Sequence, residues 1–287
     1  MSPARRAAAP RSGEPWLASV SRKPGAAWGS GHPFDVTTIA ALETLSLDAP
    51  VTFFVGENGS GKSTLLEAIA SAAQLPAVGR DEVSRDDSLA AARALGAALR
   101  LSWRTRTRRG FFLRAEDFFG YVRRLAALRH EMEDRLEAVD REYADASPLA
   151  RTLARGPATA SLGALEADYG AAGLDARSHG QAFLALFQRR LVPQGLYLLD
   201  EPETPLSPQN QLGLLALMHD AVQQGSQFVV ATHAPILLAY PGARILSFDA
   251  APPALTAFGD LDHVRITRDV LTDPARWLHH ILTPPTE

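Results

Sequence analysis

Short, wholly apolar runs alternate along this chain with longer stretches in which apolar residues recur at helical spacing. Val51 to Val55 (VTFFV) is β-branched and aromatic, the pattern of a buried strand. Leu65 to Ala73, rich in strong helix formers, predicts a helix ending near Pro76. GLYLLDEPE at 195–203 and QFVVAT at 227–232 read as two further buried strands, with a helix from about Ser207 to Gln223 between them. ARILSFDA suggests one more strand, and the stretch to Ile281 a closing helix.

Other segments are less regular. Val36 to Leu47 could hold one or two short strands, a helix is expected around Ser88 to Leu99, and LSW is strand-like beside Arg100, Arg104, Arg106, Arg108 and Arg109. From Ala115 to about Tyr143, Tyr121, Leu125, Leu128, Met132, Leu136, Val139 and Tyr143 fall at three- and four-residue steps. That predicts one long helix with a core-facing stripe, since about three heptads are few for a coiled coil. Residues 145–180 read as short helices and loops, and Ala182 to Leu191 as a helix. Strands alternating with helices imply an α/β fold with a parallel sheet covered on both faces.

Composition narrows the function classes. The chain has 287 residues, 46% of them hydrophobic, enough for a substantial core. No stretch reaches the roughly 18 to 20 apolar residues of a membrane span, so no direct membrane insertion is expected. The absence of cysteine excludes disulfides, thiolate metal sites and cysteine nucleophiles, and fits a cytoplasmic protein. A net charge of -3 gives no overall attraction to nucleic acid. Residues 1–25, with their Ala, Arg, Ser and Pro, read as a disordered extension preceding a domain over 26–287. Among 29 basic residues only Lys23 and Lys62 are lysine, which singles out Lys62.

Lys62 stands in GENGSGKST, which satisfies G-x-x-x-x-G-K-[ST] at Gly56, Gly61, Lys62 and Ser63 between a strand and a helix. The glycines let successive N–H groups turn inward to cradle phosphate oxygens at a positive helix end. Gly56, Asn58, Gly59, Ser60, Gly61, Lys62, Ser63 and Thr64 are therefore the candidate ATP-binding set. Lys62 would meet the β- and γ-phosphates, and Ser63 would hold Mg²⁺. Asp200 and Glu201 follow a buried strand at its carboxyl end, where open α/β sheets bind ligands. Asp200 is placed to support Mg²⁺, and Glu201 to polarise the attacking water. His233 ends the next strand, within plausible reach of the γ-phosphate.

Taken in order, the phosphate loop, Ser178-His179-Gly180-Gln181 before a helix, Asp200-Glu201-Pro202, the Leu206-Ser207-Pro208 turn and His233 resemble the ABC-type ATPases over roughly residues 30–250. VTFFVGENGSGKSTLLEAIA, GFFLRAEDFF, LYLLDEPE and ATHAPIL are similar to bacterial stand-alone ATPases related to the structural-maintenance-of-chromosomes type. The resemblance implies a helical subdomain inserted at about 86–178, a small N-terminal antiparallel β part, and a homodimer with ATP sandwiched between subunits. Ser178, Gly180 and Gln181 of one subunit would then approach the γ-phosphate held by the other's Lys62. Arg177 and His179 stand where transporter members usually have Leu and Gly, with Gly180 left for the closest approach. The glutamine expected between the two motifs is missing, as no Gln occurs from residue 75 to 180, and Arg114 or Glu116 could cover its region. Phe34 is the candidate for stacking on adenine, against the plainer reading of a core phenylalanine.

The first expectation is thus a Mg²⁺-dependent ATPase that closes on ATP and passes the motion to an unidentified protein partner. A transporter's nucleotide-binding subunit is the alternative, and would need a separate permease. A DNA-associated clamp using Arg104 to Arg109 is another, set against a solvated face paired with acids.

Overall fold

The computed structural model describes residues 16–78, 90–169 and 178–282. A six-stranded sheet in the order β5-β6-β7-β3-β8-β9 organises it. Its strands are β3 (Val51–Val55), β5 (Gly110–Arg114), β6 (Leu196–Asp200), β7 (Gln227–Ala231), β8 (Arg244–Ser247) and β9 (Ala254–Leu255). All neighbours pair in parallel except β8 and β9. Both faces are covered, so side chains alternate between two apolar layers rather than between core and water. Phe53, Tyr197, Leu199, Phe228 and Val230 pack on one face. Phe54, Leu196, Leu198, Val229 and Ala231 pack on the other.

Helix α2 (Lys62–Ala73) fills the second face, with α3 (Ala90–Ala98) beside it. On the first face lie α6 (His179–Arg190) and α7 (Pro208–Gln223). A second, antiparallel sheet in the order β2-β1-β4 joins β1 (Leu17–Arg22), β2 (Thr44–Ser46) and β4 (Leu99–Trp103). Between β5 and α6, α4 (Ala115–Glu142) and α5 (Pro148–Tyr169) form a helical hairpin. Short α1 (Thr37–Ala40) and α8 (Pro235–Leu238) follow loops, and α9 (Asp262–Thr272) and α10 (Pro274–Leu282) close the described chain.

Several expected boundaries shift. Residues 1–15 of the expected extension lie outside the described residues, but Trp16 is buried and donates to the Gly225 carbonyl at 2.6 Å. β1 follows it at once, so residues 16–25 belong to the folded domain. The helical insertion is narrower than 86–178, as α3 packs on α2, β4 completes the small sheet, and β5 is an edge strand of the main sheet. Phe111, Phe112 and Leu113 are fully buried there, a strand that the neighbouring arginines masked in sequence. Residues 79–89 and 170–177 lie outside the described residues. Val36 to Leu47, where one or two short strands were expected, holds one, β2, preceded by the short helix α1, and residues 148–169 form one helix instead of several. Along α4 the apolar stripe serves the core at its start, through Tyr121 and Leu125, whereas Leu128 is 40% exposed.

Gln227 joins the two sheets. It is fully buried, and its Oε1 accepts from Leu17 N at 2.8 Å. Its Nε2 donates to the carbonyls of Leu17 and Leu47 at 3.0 Å and Ala49 at 3.3 Å. A buried amide so fully engaged satisfies backbone groups that no strand pairing reaches. Replacing Gln227 with Leu strands these groups, and should lower stability by about 3 kcal/mol in urea unfolding. A loss below about 1 kcal/mol would show that the two sheets do not depend on it.

Candidate functional site

Register places the site. Ala231 of β7 pairs with Asp200 of β6 and with Phe54 of β3, while Arg114 of β5 pairs with Asp200. The carboxyl ends of four parallel strands therefore stand side by side, and the loops that leave them share one rim.

The phosphate loop leaves β3 and enters α2 at Lys62. Gly59 and Gly61 hold φ of 81° and 97°, a region that glycine enters without steric penalty. Gly61 is doubly required, since a Cβ there would come within 2.9 Å of Thr38 Oγ1. Thr38, on α1, donates its hydroxyl to the Ser60 carbonyl and so braces the loop from beneath. Asp249 braces it from the β8 side, where Oδ1 accepts from Glu57 N at 2.8 Å. Asn58 and Gly59 lie exposed at the crest, and Ser60 and Thr64 are half-buried beside them. Lys62 Nζ folds back to donate to the carbonyls of Gly56 and Glu57, at 2.6 and 2.8 Å. Burial lowers the Lys62 pKa, against the opposing pull of Glu201 and Asp200.

Across the rim, Ser63 Oγ donates to Asp200 Oδ1 at 2.8 Å. Arg114 approaches the other oxygen, Nε to Oδ2 at 3.5 Å, and pairs with Glu67 of α2. Burial nevertheless dominates and raises the Asp200 pKa to about 6. Glu201 is exposed and has φ of 49°, an uncommon conformation for a residue with a Cβ. Its N–H donates to the Ala231 carbonyl at 2.9 Å, which holds the turn.

His233 leaves β7 beside this turn, with its backbone N–H donating to Glu203 Oε1 at 2.8 Å. Burial raises the Glu203 pKa and lowers that of His233, with Lys62 adding to the latter effect. Glu203, Thr38 and Asp249 act here without having been singled out in sequence. For Asp249 the signal was available, an acid two residues beyond the apolar strand β8.

Ser178 caps α6, accepting from Gln181 N at 3.3 Å while Gln181 Oε1 accepts from Ser178 N at 3.3 Å. This reciprocal box orients the helix start. Gly180 also has a packing role within the chain. It is buried, and an added Cβ would overlap the Asn210 side chain and press on the Pro205 carbonyl. Its smallness serves packing against α7 within the chain. His179 is exposed but has its ring 5.4 Å from Phe119, while Arg177 lies outside the described residues.

Arg114 and Glu116 occupy the rim beside the loop. With Ser63, Ala115, Asp200 and Glu201 they line a cleft of about 280 Å³. Phe34 instead packs edge-to-face on Trp28, centroids 5.3 Å apart, against the core beneath α2. In the arginine run, Arg104 pairs with Asp48 at 2.5 Å and Arg109 reaches the Pro193 carbonyl at 3.4 Å.

The Ser63 hydroxyl and Asp200 carboxylate are hard oxygen donors that share one cleft wall. They fit a Mg²⁺ ion that keeps several waters and takes its remaining ligands from phosphate. The Asp200 pKa of about 6 exceeds the ordinary 3.8. Its contribution to stability is therefore full below about pH 4 and is lost as pH rises through about 6. Without metal or nucleotide, Asp200→Asn should gain on the parent by about 2 kcal/mol between about pH 4.5 and about pH 7.5 in urea unfolding. A stability gap independent of pH would contradict this burial effect.

Residues 37–84 match the family model described as AAA domain. No curated protein matches the chain. Among solved structures, cbiO1 from Clostridium perfringens, part of the ABC transporter complex cbiONQ, has 14% identity and a TM-score of 0.46, covering 93% of this chain and 100% of its own. An inward-facing putative metal-chelate type ABC transporter gives 17%, 0.43, and 88% of both chains. The SMC head domain from Thermotoga maritima gives 15%, 0.40, 84% and 98%. No helix among the described residues is long and apolar enough to cross a membrane. The family match falls on the β3–loop–α2 unit, and the acidic pair and histidine follow at the ends of β6 and β7 beside it: residues 37–84 are similar to an AAA domain, and the phosphate loop they contain sits at the rim of a mostly parallel sheet covered by helices.

Proposed function

We propose that the protein binds Mg²⁺–ATP in the 56–64 loop and hydrolyses it, two copies closing on the nucleotide and passing that motion to a protein partner. The observation that carries the reading is the Ser63 Oγ–Asp200 Oδ1 hydrogen bond, 2.8 Å long, which joins the phosphate loop to an acidic strand end. When bound, the metal neutralises charge on the β- and γ-phosphates. Lys62 exchanges its two carbonyl acceptors for phosphate oxygens, a charge-assisted contact of greater strength.

Glu201 then takes a proton from water as the water oxygen bonds to the γ-phosphorus. The bond from that phosphorus to the bridging oxygen breaks, and ADP and phosphate leave. Asp200, already engaged by Ser63 and Arg114, stays with the metal, which leaves the exposed Glu201 as base. His233 supplies a hydrogen bond to the γ-phosphate. In the closed dimer, Ser178 and Gln181 at the α6 start face the phosphate held by the partner subunit, where the helix's positive end favours an anion. Gly180 contributes by seating α6 on α7. Arg114 or Glu116, on the cleft wall, stands in for the missing glutamine.

Glu201→Gln should preserve ATP binding and lower turnover by roughly 10²- to 10⁴-fold in a phosphate-release assay. Unchanged turnover would remove Glu201 from this role. Lys62→Ala should weaken binding of a non-hydrolysable ATP analogue by about tenfold or more in calorimetric titration. Parental affinity in that variant would refute the placement of the lysine.

A further inference from the structure

One histidine near the loop has no part in the motifs above. His263 sits in the first turn of α9, whose N-cap Leu261 and first-turn Val264 are buried in the larger core. Its ring lies 6.3 Å from that of His233, at an interplanar angle of 66°. The Nε2 atoms of both rings are buried and lack a hydrogen-bond partner. An imidazole nitrogen sealed from water without a partner costs free energy, and two such atoms at neighbouring rings imply a ligand that engages both.

The surroundings state the sign of that ligand. Burial lowers the pKa of both rings and keeps them neutral; Lys62 and His263 add to this at His233, and Lys62 adds to it at His263. Asp249 and Glu201 face the same cluster with opposite effect on His233, and Asp249 and Asp262 do so on His263. Asp249 is already engaged with Glu57 N and Ser247 Oγ, so it leaves the imidazole nitrogens unsatisfied. With Lys62 at the phosphate loop, the group that would satisfy them is the last phosphate of a bound nucleotide.

We infer that His263 is a second imidazole ligand of the terminal phosphate, so that a triphosphate ties helix α9 to the nucleotide site. This rests on the nucleotide reading above. Each neutral ring donates from Nε2 to a γ-phosphate oxygen. A diphosphate lacks that oxygen and leaves α9 untied. His263 is thus a discriminating residue, one whose contact exists with ATP and not with ADP.

The test is calorimetric titration of the full chain and its His263→Ala variant with Mg²⁺–AMP-PNP and Mg²⁺–ADP. A hydrogen bond to a charged phosphate predicts about tenfold or greater weakening for the triphosphate analogue, and less than about twofold for ADP. Equal weakening of both, or no change in either, overturns the inference while leaving nucleotide binding intact. A parent chain that binds neither nucleotide overturns the proposed function itself. If the alanine variant unfolds, as its melting curve would reveal, His263→Gln carries the same comparison.

Discussion

A carboxylate buried between strands, held by a hydroxyl from the phosphate loop, is the contact on which the site depends. Asp200 would be costly to ionise where it lies, and the cost is offset only partly by Ser63 and Arg114. The sheet forces the arrangement. Parallel strands in matched register bring the ends of β3, β5, β6 and β7 to one rim, so an acid at the end of β6 faces a loop two strands away. Buried charge at such a rim is poised to be neutralised by a cation, and the donor set suits Mg²⁺.

The supports of that contact come from dispersed parts of the chain. α1 braces the loop through Thr38, the end of β8 through Asp249, and the turn after β6 places Glu201 in a left-handed conformation held by one strand carbonyl. Gln227, the first residue of β7, ties the small antiparallel sheet to the main one from the strand whose other end leads to His233. The scaffold thus spends hydrogen bonds on fixing loops rather than on lengthening strands.

Legibility in the sequence followed the range of the signal. The β3–loop–α2 unit, β6 with its acids and β7 with its histidine were readable because each packs pattern and chemistry into fewer than about ten consecutive residues. β5 was missed because Arg106, Arg108 and Arg109 precede its apolar run and hide a buried edge strand. Thr38 and His263 gave no local cue. One is a threonine in a four-residue helix, the other a histidine on a charged helix, and only tertiary packing brings either to the loop. The packing of Gly180 against Asn210 was unreadable for a similar reason, since only tertiary structure brings α7 to the start of α6. The N-terminal boundary was obscured by a proline- and arginine-rich lead into a strand with only Leu17 and Val20 fully buried.

In the proposed function a magnesium-bound triphosphate lies along the 56–64 loop with its metal between Ser63 and Asp200. A crystal structure of the protein with Mg²⁺ and a non-hydrolysable ATP analogue tests it most directly. The metal is expected at about 2.1 Å from Ser63 Oγ, with Asp200 next to it directly or through one water. Nucleotide bound elsewhere, or a metal liganded away from both residues, would contradict it.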